Sequence, residues 1–165
     1  MNGTDTGREG AEMANRSERA EAVRRLLREA KHGLLSTHGL EPAGIPYGSL
    51  VPVAATGEGA PVVLVSHLAQ HTKNLVADGR ASLLVLEATA GDPQQAARAT
   101  LLGTARRLEG SEEAAARARY LAVHPDAEPY FDLNFQLWVL TPAEARYVGG
   151  FGAAAWVSGS ELVGR

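Results

Sequence analysis

Six or seven short apolar runs, joined by connections of hairpin length, constrain this chain more than any other feature. They are GLLSTHG, SLVPVAAT, PVVLVS, GRASLLVLEA, RATLLGTARRLE, FDLNFQLWVLTP and ARYVGGFGAAAWV. Only three stretches carry helical spacing, so a regular strand–helix–strand alternation does not fit. A closed or partly closed antiparallel barrel with helices packed outside does fit. The expected fold class is α+β.

Individual residues sharpen that expectation. PVVLVS (61–66) is apolar enough to be buried on both faces. Pro52 cannot donate to a ladder, which places its strand at an edge or next to a bulge. Gly103 marks a bulge or a close approach. Residues 17–32 have Ala20, Val23, Leu26, Leu27 and Ala30 at helical spacing, with Ser17 as the cap and Gly33 as the stop. Residues 111–122 form a second helix, with Ser111 as the cap and acidic residues in the first turn. HLAQHTKNLVAD supplies a third, short one. The polar, glycine-containing opening (1–16) is expected to be a disordered tail, leaving one domain over 17–160.

Composition excludes several function classes. Hydrophobic residues make up 45% and charged residues 21%, the balance of an ordinary globular domain. A net charge of -3 argues against nucleic-acid binding by phosphate neutralisation. No run approaches the length of a membrane span, and no leader pattern opens the chain. The absence of cysteine excludes disulfides and thiolate metal sites, and it favours a cytoplasmic location.

His67 and His71 share a helical face at a spacing of four, but no third ligand or carboxylate accompanies them, so no metal site is expected. His32, His38 and His124 are expected to be surface or capping residues. Ser36, Ser49, Ser66 and Ser82 lie near strand ends, none in a Gly-x-Ser-x-Gly elbow, which disfavours a hydrolase. Anion binding has better support. Ser66, His71, Thr72, Lys73 and Asn74 cluster just beyond a buried strand at a helix start, a set of donors suited to a phosphate. Spacing alone fits a solvated helix start equally well.

The segments HGLLSTHGLEPAGIPYGSLVPVA, VLVSHLAQHTKNLVADGRASLLV, ARATLLGTARRL and YVGGFGAAAWV occur in the order of a flavin-binding barrel family. Over residues 17–157 the chain resembles the pyridoxamine 5'-phosphate oxidase-like superfamily, in the branch that includes heme-utilisation proteins. The resemblance implies a six- to seven-stranded antiparallel split β-barrel with flanking helices. It further implies a homodimer with FMN sites across the subunit interface. Ser49, Leu50, Val51 and Pro52 would lie along the isoalloxazine ring, Ser66 and His67 at the next strand end, and His71, Lys73 and Asn74 around the phosphate. The function so implied is an FMN-dependent oxidoreductase acting on a small molecule. The alternatives are a heme-binding or heme-degrading protein on the same barrel, and a non-catalytic flavin-binding or regulatory module. Two departures stand out: His71 replaces a lysine common in relatives, and Ala153 replaces an arginine. The substrate-phosphate contacts of pyridoxamine-phosphate oxidases have no counterpart after Trp156, so that particular activity is not expected. No side chain is identifiable as a catalytic acid or base.

Overall fold

The computed structural model describes residues 5–150 and 154–164, with side chains from Glu12 onward. Ala153 therefore lies outside the described residues. Seven antiparallel strands form one sheet: β1 (His32–Leu40), β2 (Ala43–Ala55), β3 (Pro61–Ser66), β4 (Arg80–Leu86), β5 (Ala97–Arg107), β6 (Phe135–Gly149) and β7 (Ala154–Ser158). Their order is β3-β2-β1-β4-β5-β6-β7, and a further β3–β6 pairing closes six of them into a barrel. Helices α1 (Asp5–Glu29), α2 (Gln70–Ala77), α3 (Gly110–Val123) and α4 (Gly159–Leu162) flank it, and a 3-10 helix spans Pro125–Leu133. The α+β split barrel expected from the sequence is the observed fold.

β6 is where the barrel divides. Its first residues pair with β3 on one side, from Phe135 opposite Ser66 to Val139 opposite Val62. Its later residues pair with β7, from Glu144 opposite Ser158 to Val148 opposite Ala154. The sequence suggests two strands here, interrupted near Pro142. Pro142 instead sits opposite Gly103 at the β5–β6 register shift, where the ladder is already broken and a missing N–H costs nothing extra. Gly103 fulfils both of its expected roles, since a Cβ there would lie 2.0 Å from the Thr141 carbonyl oxygen.

Two apolar clusters account for the double burial of β3. Val63 and Val65 face the barrel interior with Leu35, Val53, Leu83 and Leu101, where α1 contributes Val23, Leu26 and Leu27. Val62 and Leu64 face outward under Tyr120 and Ala116 of α3. Pro52 lies just before the three residues of β2 that pair with β3, so its backbone sits at a local edge.

Several helix boundaries differ from expectation. α1 begins at Asp5 rather than at a Ser17 cap, so the stretch expected as a tail is helical from Asp5 onward. Residues 12–18 are exposed and burial starts at Ala20, which fits a packed helix extending into a run with good helix propensity. Gly33 is a strand residue, since a Cβ there would meet Leu83 at 2.9 Å. Ser111 lies inside the first turn of α3, whose N-cap position is Glu109 without a side-chain cap.

Candidate functional site

The segment between β3 and α2 emerges from the barrel where β3 leaves β6. Thr72 donates to the Ser66 carbonyl at 2.6 Å, and the Leu68 N–H donates to the Ser66 hydroxyl at 3.2 Å, which together set the turn into α2. α2 then packs on β1 and spreads its polar residues in three directions.

The first direction leads inward. Asn74 is 0% exposed. Its amide donates to the Thr37 hydroxyl at 2.9 Å, and its carbonyl oxygen accepts from the Leu40 N–H at 3.3 Å and Gln70 Nε2 at 2.9 Å. Asn74 is thus a strut between α2 and β1 and presents no atom to a ligand, contrary to its expected place at a phosphate. Chain spacing could not reveal this, because Thr37 and Leu40 belong to a different strand.

The second direction leads to β2. His71 Nδ1 lies 3.1 Å from the Ser49 hydroxyl, while Nε2 is buried without a hydrogen-bond partner. Burial holds the His71 pKa below its ordinary value, because desolvation disfavours imidazolium. The unfolded chain therefore binds that proton more tightly. Stability from this group is complete above about pH 6.5 and is lost as the pH falls towards the lower folded pKa. We expect the denaturant midpoint of the wild type to drop between about pH 7 and pH 5.5, and His71→Gln to reduce that slope. Parallel slopes in the two proteins would show that His71 is not held neutral by the fold.

The third direction leads to an open cleft of about 510 Å³, in the size range of small-molecule sites. His67, Lys73, Arg107 and Gln136 line it together with the apolar Leu40 and Val76. Lys73 makes no ion pair among the described residues. Among the described residues, Arg107 has a single ion-pair contact, with Glu109 at 3.6 Å, on an exposed surface where such pairs contribute little. Sequence reasoning misses Arg107 and Gln136. They reach His67 only because β6 runs between β3 and β5, with Gln136 opposite Val65 and Trp138 opposite Arg107.

The remaining expected residues follow the alternation of β2. Val51 points into the core, whereas Leu50 and Pro52 lie on the outer face. The nine expected cofactor contacts therefore do not converge: Ser49 pairs with His71, Lys73 and His67 share the cleft, and Asn74 and Val51 are internal. Among the described residues, no three His, Asp or Glu side chains gather as a metal site, and no helix is long and apolar enough to cross a membrane.

Comparisons with known proteins bear on the family and the fold. The family model described as "CREG, beta-barrel" matches residues 14–163. The chain is 37% identical over 150 residues to the non-canonical heme oxygenase HOZ, chloroplastic, of Arabidopsis thaliana, covering 90% of this chain and 46% of that protein. It is 39% identical to a heme binding protein from Mycobacterium smegmatis, with a TM-score of 0.80 over 87% of this chain and 59% of that one. The chain thus spans about half the length of these relatives. A general stress protein 26-related structure of the pyridoxinephosphate oxidase family, from Clostridium acetobutylicum, shares the fold alone, with 14% identity, a TM-score of 0.66, and coverage of 88% and 98%. The chain belongs to the CREG beta-barrel family, within the pyridoxamine 5'-phosphate oxidase-like split-barrel superfamily.

Proposed function

We propose that this chain binds heme on its split barrel, as one of a pair of identical subunits. The observation that carries the reading is the 37–39% identity, over about nine-tenths of the chain, to two proteins named for heme chemistry. The surface supports it. A porphyrin presents a broad apolar face and two propionates, and the α2 cleft offers Leu40 and Val76 beside the cations Lys73 and Arg107. When bound, heme would supply iron redox chemistry, while the protein would orient it and limit access of water.

FMN is the second reading. It is favoured by the contact of His71 Nδ1 with the Ser49 hydroxyl at 3.1 Å, which joins two of the residues that the family resemblance places at the flavin. Against it stands the dispersal of Lys73 and Asn74 away from that pair. If FMN is the cofactor, oxidoreductase chemistry on a small molecule follows.

Pairing of two copies is supported by the outer sheet face. Leu34 of β1 lies opposite Leu50 of β2 and Leu84 of β4, and Leu34, Leu50, Leu86, Leu102 and Trp156 are all exposed. A contiguous apolar surface of this kind marks an interaction site.

One titration separates the cofactors. Hemin added to the purified chain is expected to give a saturable Soret change at one equivalent per chain, and FMN fluorescence is expected to stay unquenched. No spectral response to hemin, together with tight FMN quenching, would reverse the assignment.

A further inference from the structure

Of the five histidines, His67 is the one whose surroundings suit an iron ligand. A histidine that binds metal through one ring nitrogen usually donates the other N–H to a carbonyl or carboxylate, which fixes the tautomer and the ring orientation. His67 Nδ1 lies 3.1 Å from the carbonyl oxygen of Asn134. A carbonyl can only accept, so in the neutral ring Nδ1 carries the hydrogen and Nε2 is the nitrogen with the lone pair. That Nε2 has no partner among the described residues, and the residue is exposed.

The placement follows from the register. Ser66 is opposite Phe135 in the β3–β6 ladder, so the next residue out on β3 meets the preceding one on β6, which is Asn134. Asn134 ends the 3-10 helix in the left-handed region at φ 59°, a conformation asparagine tolerates better than most residues. Leu68 and Leu133, the chain neighbours of this pair, are both left exposed. The cleft adds Lys73 and Arg107 at a site where two carboxylates would need partners.

The other histidines fit less well. His71 Nε2 is closed off from solvent. His124 spends its Nε2 on the Val53 carbonyl at 2.9 Å, and its ring packs against Tyr120 and His32 at 4.8 and 6.2 Å between centroids. His32 and His38 are exposed, but no hydrogen bond among the described residues orients either ring.

We propose that His67 would ligate the iron of a heme held in the α2 cleft, with the Asn134 carbonyl orienting its ring and Lys73 and Arg107 placed to receive the propionates. The inference rests on the heme reading above.

The test uses the full chain and ferric hemin, read by absorption and electron paramagnetic resonance rather than by turnover. The wild-type complex is expected to show histidine ligation. His67→Ala is expected to lose that signature and to regain it when free imidazole is added, which a merely structural role would not produce. His67 is exposed, so its replacement is not expected to unfold the chain, and an unchanged circular dichroism spectrum checks this. His32→Ala and His38→Ala are expected to keep the wild-type spectrum. Lys73→Ala is expected to keep it as well, while weakening hemin binding about tenfold, as for one lost hydrogen bond to a charge. A wild-type ligation spectrum in His67→Ala, or its loss in His38→Ala, would overturn the assignment while leaving heme binding intact. If the wild type itself gives no hemin spectrum, the heme reading falls and takes this assignment with it.

Discussion

Asn74→Ala is expected to lower folding stability by about 3–5 kcal/mol, the range reached when a buried polar network is broken. The amide bridges three partners at once, and truncation leaves the Leu40 N–H, Gln70 Nε2 and the Thr37 hydroxyl without it. Thr37 in turn contacts the Tyr47 carbonyl at 3.4 Å, so the network ties α2 to both β1 and β2. A fall in melting temperature on the order of 10 °C should accompany the loss. Asn74→Asp would not rescue it, since a carboxylate at this fully buried position loses the donor to Thr37 and carries an uncompensated charge. A double-mutant cycle with Thr37→Val should be non-additive, because the two residues share one hydrogen bond. Had Asn74 gripped a phosphate, its removal would instead weaken cofactor binding and spare the empty protein. A stability loss under about 1 kcal/mol would support that discarded role.

The same residue shows where the sequence stopped being legible. Strand runs, the double burial of β3, the Gly103 bulge and the buried stripe of α1 all follow from local spacing, because each depends on residues close together in the chain. Asn74 depends on Thr37 and Leu40 across a strand boundary. The cleft depends on β6 pairing with both β3 and β5, a closure that no local pattern encodes. For that reason Lys73 and His67 could be identified as site candidates, while Arg107, Gln136 and the Asn134 carbonyl could not. β6 misleads for a related reason: Pro142 signals a break only if the ladder is intact there, and Gly103 on the neighbouring strand has already opened it. The expected phosphate cradle fails on helical geometry. Positions 71 and 74 lie only about 60° apart around a helix, but position 73 lies about 160° from 71 and about 100° from 74, so the three cannot all face one small group together.

If two copies pair as proposed, Leu50→Glu is expected to convert the protein from twice the 17.4 kDa of one chain to a monomer at micromolar concentration. Leu50 is 75% exposed, so the substitution should leave the fold of each subunit unchanged. In a pair related by a two-fold axis the same patch serves both subunits, and one substitution acts twice. Burial of a leucine contributes about 2 kcal/mol, and a carboxylate in its place must also be desolvated. Doubled, the cost exceeds about 4 kcal/mol, or roughly a thousandfold in the dissociation constant. Leu68→Glu provides the contrast, since Leu68 is similarly exposed but lies beyond β3 rather than on the outer sheet face; it should leave the mass unchanged. Sedimentation equilibrium on the three proteins decides the matter. If the wild type is already monomeric, the apolar rows around Leu34 and Leu50 need a different partner. If Leu50→Glu stays paired while Leu68→Glu dissociates, the two copies meet through the α2 side, and the cleft holding His67 becomes part of the interface.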